Sequence, residues 1–121
     1  MKKLIAILFL GFNSLFAFEH LTLANIESKL ENKNVIIDFY ATWWPSCKVL
    51  GKNLTKYNTR KQDNVEIYKL DVEDQKLLAA QFEIRGVPTL IYMENGKIVG
   101  KKLGVKSVEQ LVNYEKVYFS K

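Results

Sequence analysis

Three places in this 121-residue chain carry side chains suited to chemistry, and the first is its lone thiol, Cys47. Cys47 follows Trp43-Trp44-Pro45-Ser46, and Leu50, Leu54 and Tyr57 recur after it at helical spacing, which places it in the first turns of a helix. Unpaired backbone N–H groups at such an end stabilise a thiolate, the nucleophilic form of cysteine. The second is Asp38, a carboxylate lodged in the apolar run Val35-Ile36-Ile37-Asp38-Phe39-Tyr40. A carboxylate buried there is costly unless it is protonated, hydrogen-bonded or used as an acid or base. The third is Val87-Pro88, between a glycine and an apolar strand, where a cis bond would expose backbone to a ligand. Composition alone favours the ordinary case, a trans proline opening a strand. Plain structural alternatives stand beside the other two. A free cysteine is often inert and buried, and an aspartate near a strand end can reach solvent.

The elements that must position these residues are legible along the chain. A short helix over Asn25–Leu30, ended by Asn34, precedes the Val35–Tyr40 run, which has the pattern of a central strand covered on both faces. After the Cys47 helix, Val65–Asp71 is a second core strand. A helix follows with Glu73 and Asp74 in its first turn and Leu77, Leu78 and Phe82 as its buried stripe. The Asn95-Gly96 pair predicts a type I′ turn joining strands Thr89–Met93 and Ile98–Lys102 in an antiparallel hairpin. Ser107 and Gln110 form a capping box for a last helix carrying Val108, Leu111, Val112, Tyr118 and Phe119. Strands alternating with helices, then a hairpin and a closing helix, imply an α/β domain: a central mixed β-sheet flanked by helices on both faces.

Composition bounds the partners. The chain is 48% hydrophobic and 26% charged, enough for one compact core and too apolar for a disordered tail. Lys2 and Lys3, the apolar run Leu4–Leu10 and the small Ala17 are the pattern of a secretory signal peptide over residues 1–17, leaving one domain over 18–121. The run falls short of the roughly 20 residues a membrane span needs. An uncleaved anchor is the competing reading, because Leu15 is a poor residue three positions before the cut, and only then is the membrane a partner. Export places the domain in the periplasm or cell envelope. There an odd cysteine points to a free reactive thiol or to pairing with another molecule. Cleavage after Ala17 removes two of 18 basic residues and none of 13 acidic ones, so the net charge falls from +5 to +3. No basic, aromatic-interleaved surface for nucleic acid is present. One histidine and one cysteine make no structural zinc site, no glycine-rich phosphate loop occurs, and no cofactor is indicated. Lys48, Lys52, Lys56 and Arg60 form a basic stripe at four-residue spacing, read first as a solvated face and second as a docking face for an acidic partner.

The residues Val35 to Trp43, then Pro45-Ser46-Cys47-Lys48, Arg85-Gly86-Val87-Pro88-Thr89-Leu90 and Glu94-Asn95-Gly96 resemble thioredoxin, in order and spacing, over nearly all of the chain after residue 17. The resemblance implies a thioredoxin fold and thiol-disulfide exchange with cysteine-containing proteins or peptides. It implies a cis Pro88 beside the active site, Asp38 as the buried acid that deprotonates the resolving cysteine, and Trp43, Val87 and Gly104 on the substrate-binding surface. It also implies a defect. The family's Trp-Cys-x-x-Cys reads here Trp43-Trp44-Pro45-Ser46-Cys47, so Trp44 replaces the attacking cysteine and the resolving one, Cys47, is kept. An ordinary two-cysteine cycle cannot run within such a monomer. Monothiol exchange aided by an external thiol or a redox partner protein is one reading, and a non-catalytic peptide-binding module is the other. Trp44 itself is open between a binding platform, a plug over Cys47 and an accident of sequence. Lys52 stands where the family carries a helix-kinking proline, which predicts a straighter or looser helix.

Overall fold

The structure, a computed structural model, describes residues 18–119. The elements run β1 (Glu19–His20), α1 (Ile26–Leu30), β2 (Asn34–Tyr40), α2 (Pro45–Asn58), β3 (Val65–Asp71), α3 (Lys76–Gln81), β4 (Thr89–Glu94), β5 (Lys97–Leu103) and α4 (Val108–Phe119). The proposed signal segment, residues 1–17, lies outside the described residues. Among those described, no helix is long and apolar enough to cross a membrane.

Strand β2 is central because both its faces are apolar, and Val35, Ile36, Ile37 and Phe39 are fully buried. The sheet order is β1-β3-β2-β4-β5, with β2 parallel to β3 and antiparallel to β4. Alternation along β2 splits the core in two. Val35, Ile37 and Phe39 pack with Leu30 and Leu78 under α1 and α3, whereas Ile36 packs with Leu50, Leu54, Tyr57, Leu111 and Phe119 under α2 and α4. Asp38 and Tyr40, two and four residues on from Ile36, therefore face α2.

The local chemistry of turns and caps explains the remaining boundaries. Asn95 and Gly96 have φ of 49° and 78°, the left-handed pair that a type I′ turn requires, and Glu94 pairs with Lys97 across it. Ser107 Oγ accepts from Gln110 N at 3.1 Å while Gln110 Oε1 accepts from Ser107 N at 2.9 Å, the reciprocal bonds of a capping box. Gly100 is required by packing: a Cβ there would lie 2.3 Å from the ring of Tyr118 in α4, which stacks 4.7 Å from Tyr92.

Three expectations are corrected. Glu73 and Asp74 precede α3 instead of opening it, because Asp71 Oδ1 accepts from both their N–H groups, at 2.9 and 3.3 Å, and folds them into a turn. Leu77 is 67% exposed and contributes nothing to the core; Leu78, with Phe82 packed partly against it, carries the stripe. Asn34 opens β2 instead of ending α1, which stops at Leu30 before Asn32 takes a φ of 57°. The Val87–Pro88 bond is cis, the form the family resemblance implies over the trans form that composition alone favours. Strand β1 escaped notice because two residues carry no alternation to read; it is held by parallel pairing with Tyr68 and Lys69.

Candidate functional site

Helix α2 starts at Pro45, whose fixed φ suits a first helical position, and runs unbroken to Asn58 across the Gly51-Lys52 pair. Cys47 is its third residue. The Cys47 N–H is bonded to Trp44 O at 3.1 Å, and the side chain packs inward, leaving the residue 3% exposed. Burial pushes the Cys47 thiol up from its ordinary range. A backbone hydrogen bond with Ala41 and the charge of Lys69 pull it down, while Asp38 adds to the rise. Burial is the largest of these effects, so the thiol is held up although it lies near the start of α2.

Asp38 is fully buried, so the solvent-reaching alternative does not hold. Neither carboxylate oxygen has a hydrogen-bond partner among the described residues. Its one charged neighbour is Lys69, with Nζ 3.8 Å from Oδ2. Burial raises the Asp38 carboxyl to about 6, and Lys69 offsets only part of the rise. Lys69 also lies over the Tyr40 ring, 4.4 Å from its centroid.

Lys69 is a site residue that the sequence reading passed over, although a signal for it exists. Asp38 and Lys69 are each the fifth residue of a seven-residue strand, each two residues on from a buried isoleucine on the same face, Ile36 and Ile67, and parallel register sets them side by side. His20 of β1 pairs with Lys69 on the other side. Register therefore lays His20, Lys69 and Asp38 in a row on the sheet face beneath the start of α2.

Beside that row lies an open cleft of about 540 Å³ whose walls include Cys47, Lys48, Lys52, Lys69, Tyr40 and His20. Neither tryptophan lines it. Trp43 is 61% and Trp44 40% exposed; their rings meet edge to face at 5.1 Å, and Trp43 Nε1 donates to Glu73 Oε1 at 2.7 Å. A separate edge is formed by the cis Val87–Pro88 bond and Gly104, where Gly104 N donates to Pro88 O at 2.9 Å. Gly104 has a φ of 94°, which a residue with a side chain adopts only under strain. Val87 and Gly104 are half-buried at that edge and Pro88 is buried.

The family model for thioredoxin matches residues 17–116, most of the chain. The chain belongs to the thioredoxin family. The thioredoxin of Haemophilus influenzae is 32% identical over 97 residues, covering 78% of this chain and 91% of that protein. A Staphylococcus aureus thioredoxin is 34% identical over 95 residues with the same coverage. The mitochondrial thioredoxin of Bos taurus is 39% identical over 77 residues, and that match spans less than half, 46%, of the bovine protein. The mixed five-stranded sheet with helices on both of its faces is accordingly a thioredoxin fold. The sequence has a single cysteine, Cys47, and a tryptophan at position 44.

Proposed function

We propose that this chain is an exported thioredoxin-family protein that exchanges thiols and disulfides through one cysteine. The observation that carries the reading is Cys47 near the start of α2, on the wall of an open cleft, with the buried carboxylate of Asp38, which has Lys69 beside it and no hydrogen-bond partner among the described residues, on the adjoining sheet face. In the forward step, the Cys47 thiol gives its proton to Asp38 and the thiolate attacks a disulfide of a cysteine-containing protein or peptide. The S–S bond breaks, a mixed disulfide forms on Cys47, and the other sulfur leaves as a thiolate with the electron pair. No second cysteine is available to resolve the adduct, so an external thiol or a redox partner protein must release it. The signal-like pattern of residues 1–17 supports a periplasmic or envelope setting, where disulfides persist.

The test is the mass of the native protein after incubation with a disulfide-linked peptide. An adduct of one peptide half, absent in Cys47→Ser and removed by added thiol, is the expected result. A native chain that gains no mass while the unfolded chain does would sink the exchange reading. A companion variant, Trp44→Cys, rebuilds Cys-Pro-Ser-Cys and is expected to acquire dithiol reductase activity; continued inactivity would mean that the surrounding site has lost its competence.

A second reading, a non-catalytic peptide-binding module, rests on a different observation: two tryptophans exposed together at the N-terminus of α2, a residue type that anchors interfaces. Trp43, Trp44 and the Val87–Pro88 and Gly104 edge would form its surface. This reading is supported if Cys47→Ser binds peptides as the wild type does and Trp43→Ala with Trp44→Ala does not.

A further inference from the structure

The cleft beside α2 has a chemical character of its own. Among the residues on its walls there is no carboxylate, whereas Lys48, Lys52 and Lys69 all contribute to it. Lys69 is engaged by Asp38 and Tyr40. Lys48 and Lys52 have no ion-pair or hydrogen-bond partner among the described residues. They stand four residues apart, on one face of α2 and on one rim of the cleft. Phe18, His20 and Tyr40 give the cleft apolar, aromatic walls. Gly51, between the two lysines, also lines the cleft and adds no side chain to it. The volume, about 540 Å³, is that of a small-molecule site. Cys47 lines this cleft and is only 3% exposed, so what reaches it is slim, a small molecule or an extended peptide segment.

We propose that the cleft admits a low-molecular-mass disulfide bearing carboxylates, holds its negative charge on Lys48 and Lys52, and presents its sulfur to Cys47. The inference deepens the exchange reading and rests on it, since it names the small-molecule partner of the single cysteine. The Cys47 thiol gives its proton to Asp38, and the thiolate attacks one sulfur of the anionic disulfide. The disulfide bond breaks, a mixed disulfide forms on Cys47, and the second half leaves as a thiolate carrying the electron pair. Entry is from the lysine side, and the tryptophan side stays free for a protein.

The experiment compares the rates at which Cys47 reacts with two aromatic disulfides of similar size, 5,5′-dithiobis(2-nitrobenzoate), which carries carboxylates, and the uncharged 4,4′-dithiodipyridine. Each rate is measured on the native protein and on the chain unfolded in urea. Taking the ratio cancels any change in the thiol itself. The native ratio of anionic to neutral rate is expected to exceed the unfolded ratio by about tenfold, the effect of two exposed ion pairs. In Lys48→Gln with Lys52→Gln, and in wild type on going from about 0.02 M to about 0.5 M salt, that excess should collapse while the neutral rate holds. If the native protein reacts with both reagents but shows no excess, or keeps its excess in the double variant, the cleft inference is overturned and one-cysteine exchange survives. If the native protein reacts with neither reagent, the exchange reading falls and the cleft inference falls with it.

Discussion

Asp38 exemplifies how one residue couples stability to pH. Its carboxyl is raised from 3.8 to about 6 by burial, so the folded state holds a proton that the unfolded chain releases between those values. Stability from this group is fully present below the unfolded value and is lost as pH rises through about 6. At neutral pH the ionised carboxylate then costs the fold about 3 kcal/mol, taking 1.36 kcal/mol per unit. Asp38→Asn should therefore be more stable than wild type by about that amount near neutrality and equally stable at about pH 3.5. Urea unfolding across the pH range checks this, and a gain that is the same at both ends would mean that packing, not titration, is responsible. Cys47 yields a linked expectation. With its thiol held up by burial, alkylation of the native protein should be slower than that of the unfolded chain and should reach its midpoint at higher pH. Because Asp38 contributes to the rise, Asp38→Asn should move that midpoint down. A native midpoint below that of the unfolded thiol would contradict the balance drawn here, with the helix end outweighing burial.

Among the elements, the contact between α4 and the hairpin is the one most exposed to a single change. Gly100 in β5 lies directly under the Tyr118 ring, and that ring is backed by Tyr92 and by Tyr114, whose centroid is 6.4 Å away. A methyl at position 100 has no space unless α4 lifts or the ring leaves its stack. Gly100→Ala should cost about 1–3 kcal/mol, the range of an overpacked core. The same substitution in a Tyr118→Ala background should cost less than about 1 kcal/mol, because the clashing ring is gone. Denaturant unfolding of the four proteins gives the coupling energy, and additive effects would show that the two residues do not bear on each other. The capping box offers an independent measure of α4. Ser107→Ala removes the oxygen that accepts from Gln110 N and should cost about 1 kcal/mol by the same method.

For the whole molecule, the decisive arrangement is that Cys47 lies on the wall of a lysine-bearing cleft that neither exposed tryptophan lines. Trp43 and Trp44 are exposed together at the start of α2, whereas the cleft beside that helix carries Lys48, Lys52 and Lys69. Location bears on which partners meet either side. Fractionation of the producing cell with N-terminal sequencing is expected to find a chain beginning at Phe18 in a soluble envelope fraction. Recovery of Met1 in the membrane fraction would replace export of a free domain with an anchored one.

Local rules acting on short stretches were enough to read the hairpin, the capping box, the Cys47 helix and the central strand, because turn chemistry and apolar periodicity are written into adjacent residues. The same rules failed at Glu73 and Asp74, where the Asp71 side chain competed for the backbone that a helix would have used. Resemblance to the family, carried by Val35–Trp43 and Arg85–Leu90, is what singled out Cys47, Asp38 and Pro88 and implied a tryptophan, Trp44, in place of a cysteine. What sequence could not supply was the neighbour across the sheet. That Lys69 stands by Asp38, and His20 by Lys69, follows from the register between strands up to about fifty residues apart in sequence. A one-residue slip of β2 would exchange the sets packed under α1 and α3 and under α2 and α4 and turn Asp38 to the face away from Lys69. The cleft, the buried carboxylate without a hydrogen bond and the inward turn of Cys47 all arise from that packing, which is why only the tertiary structure decided them.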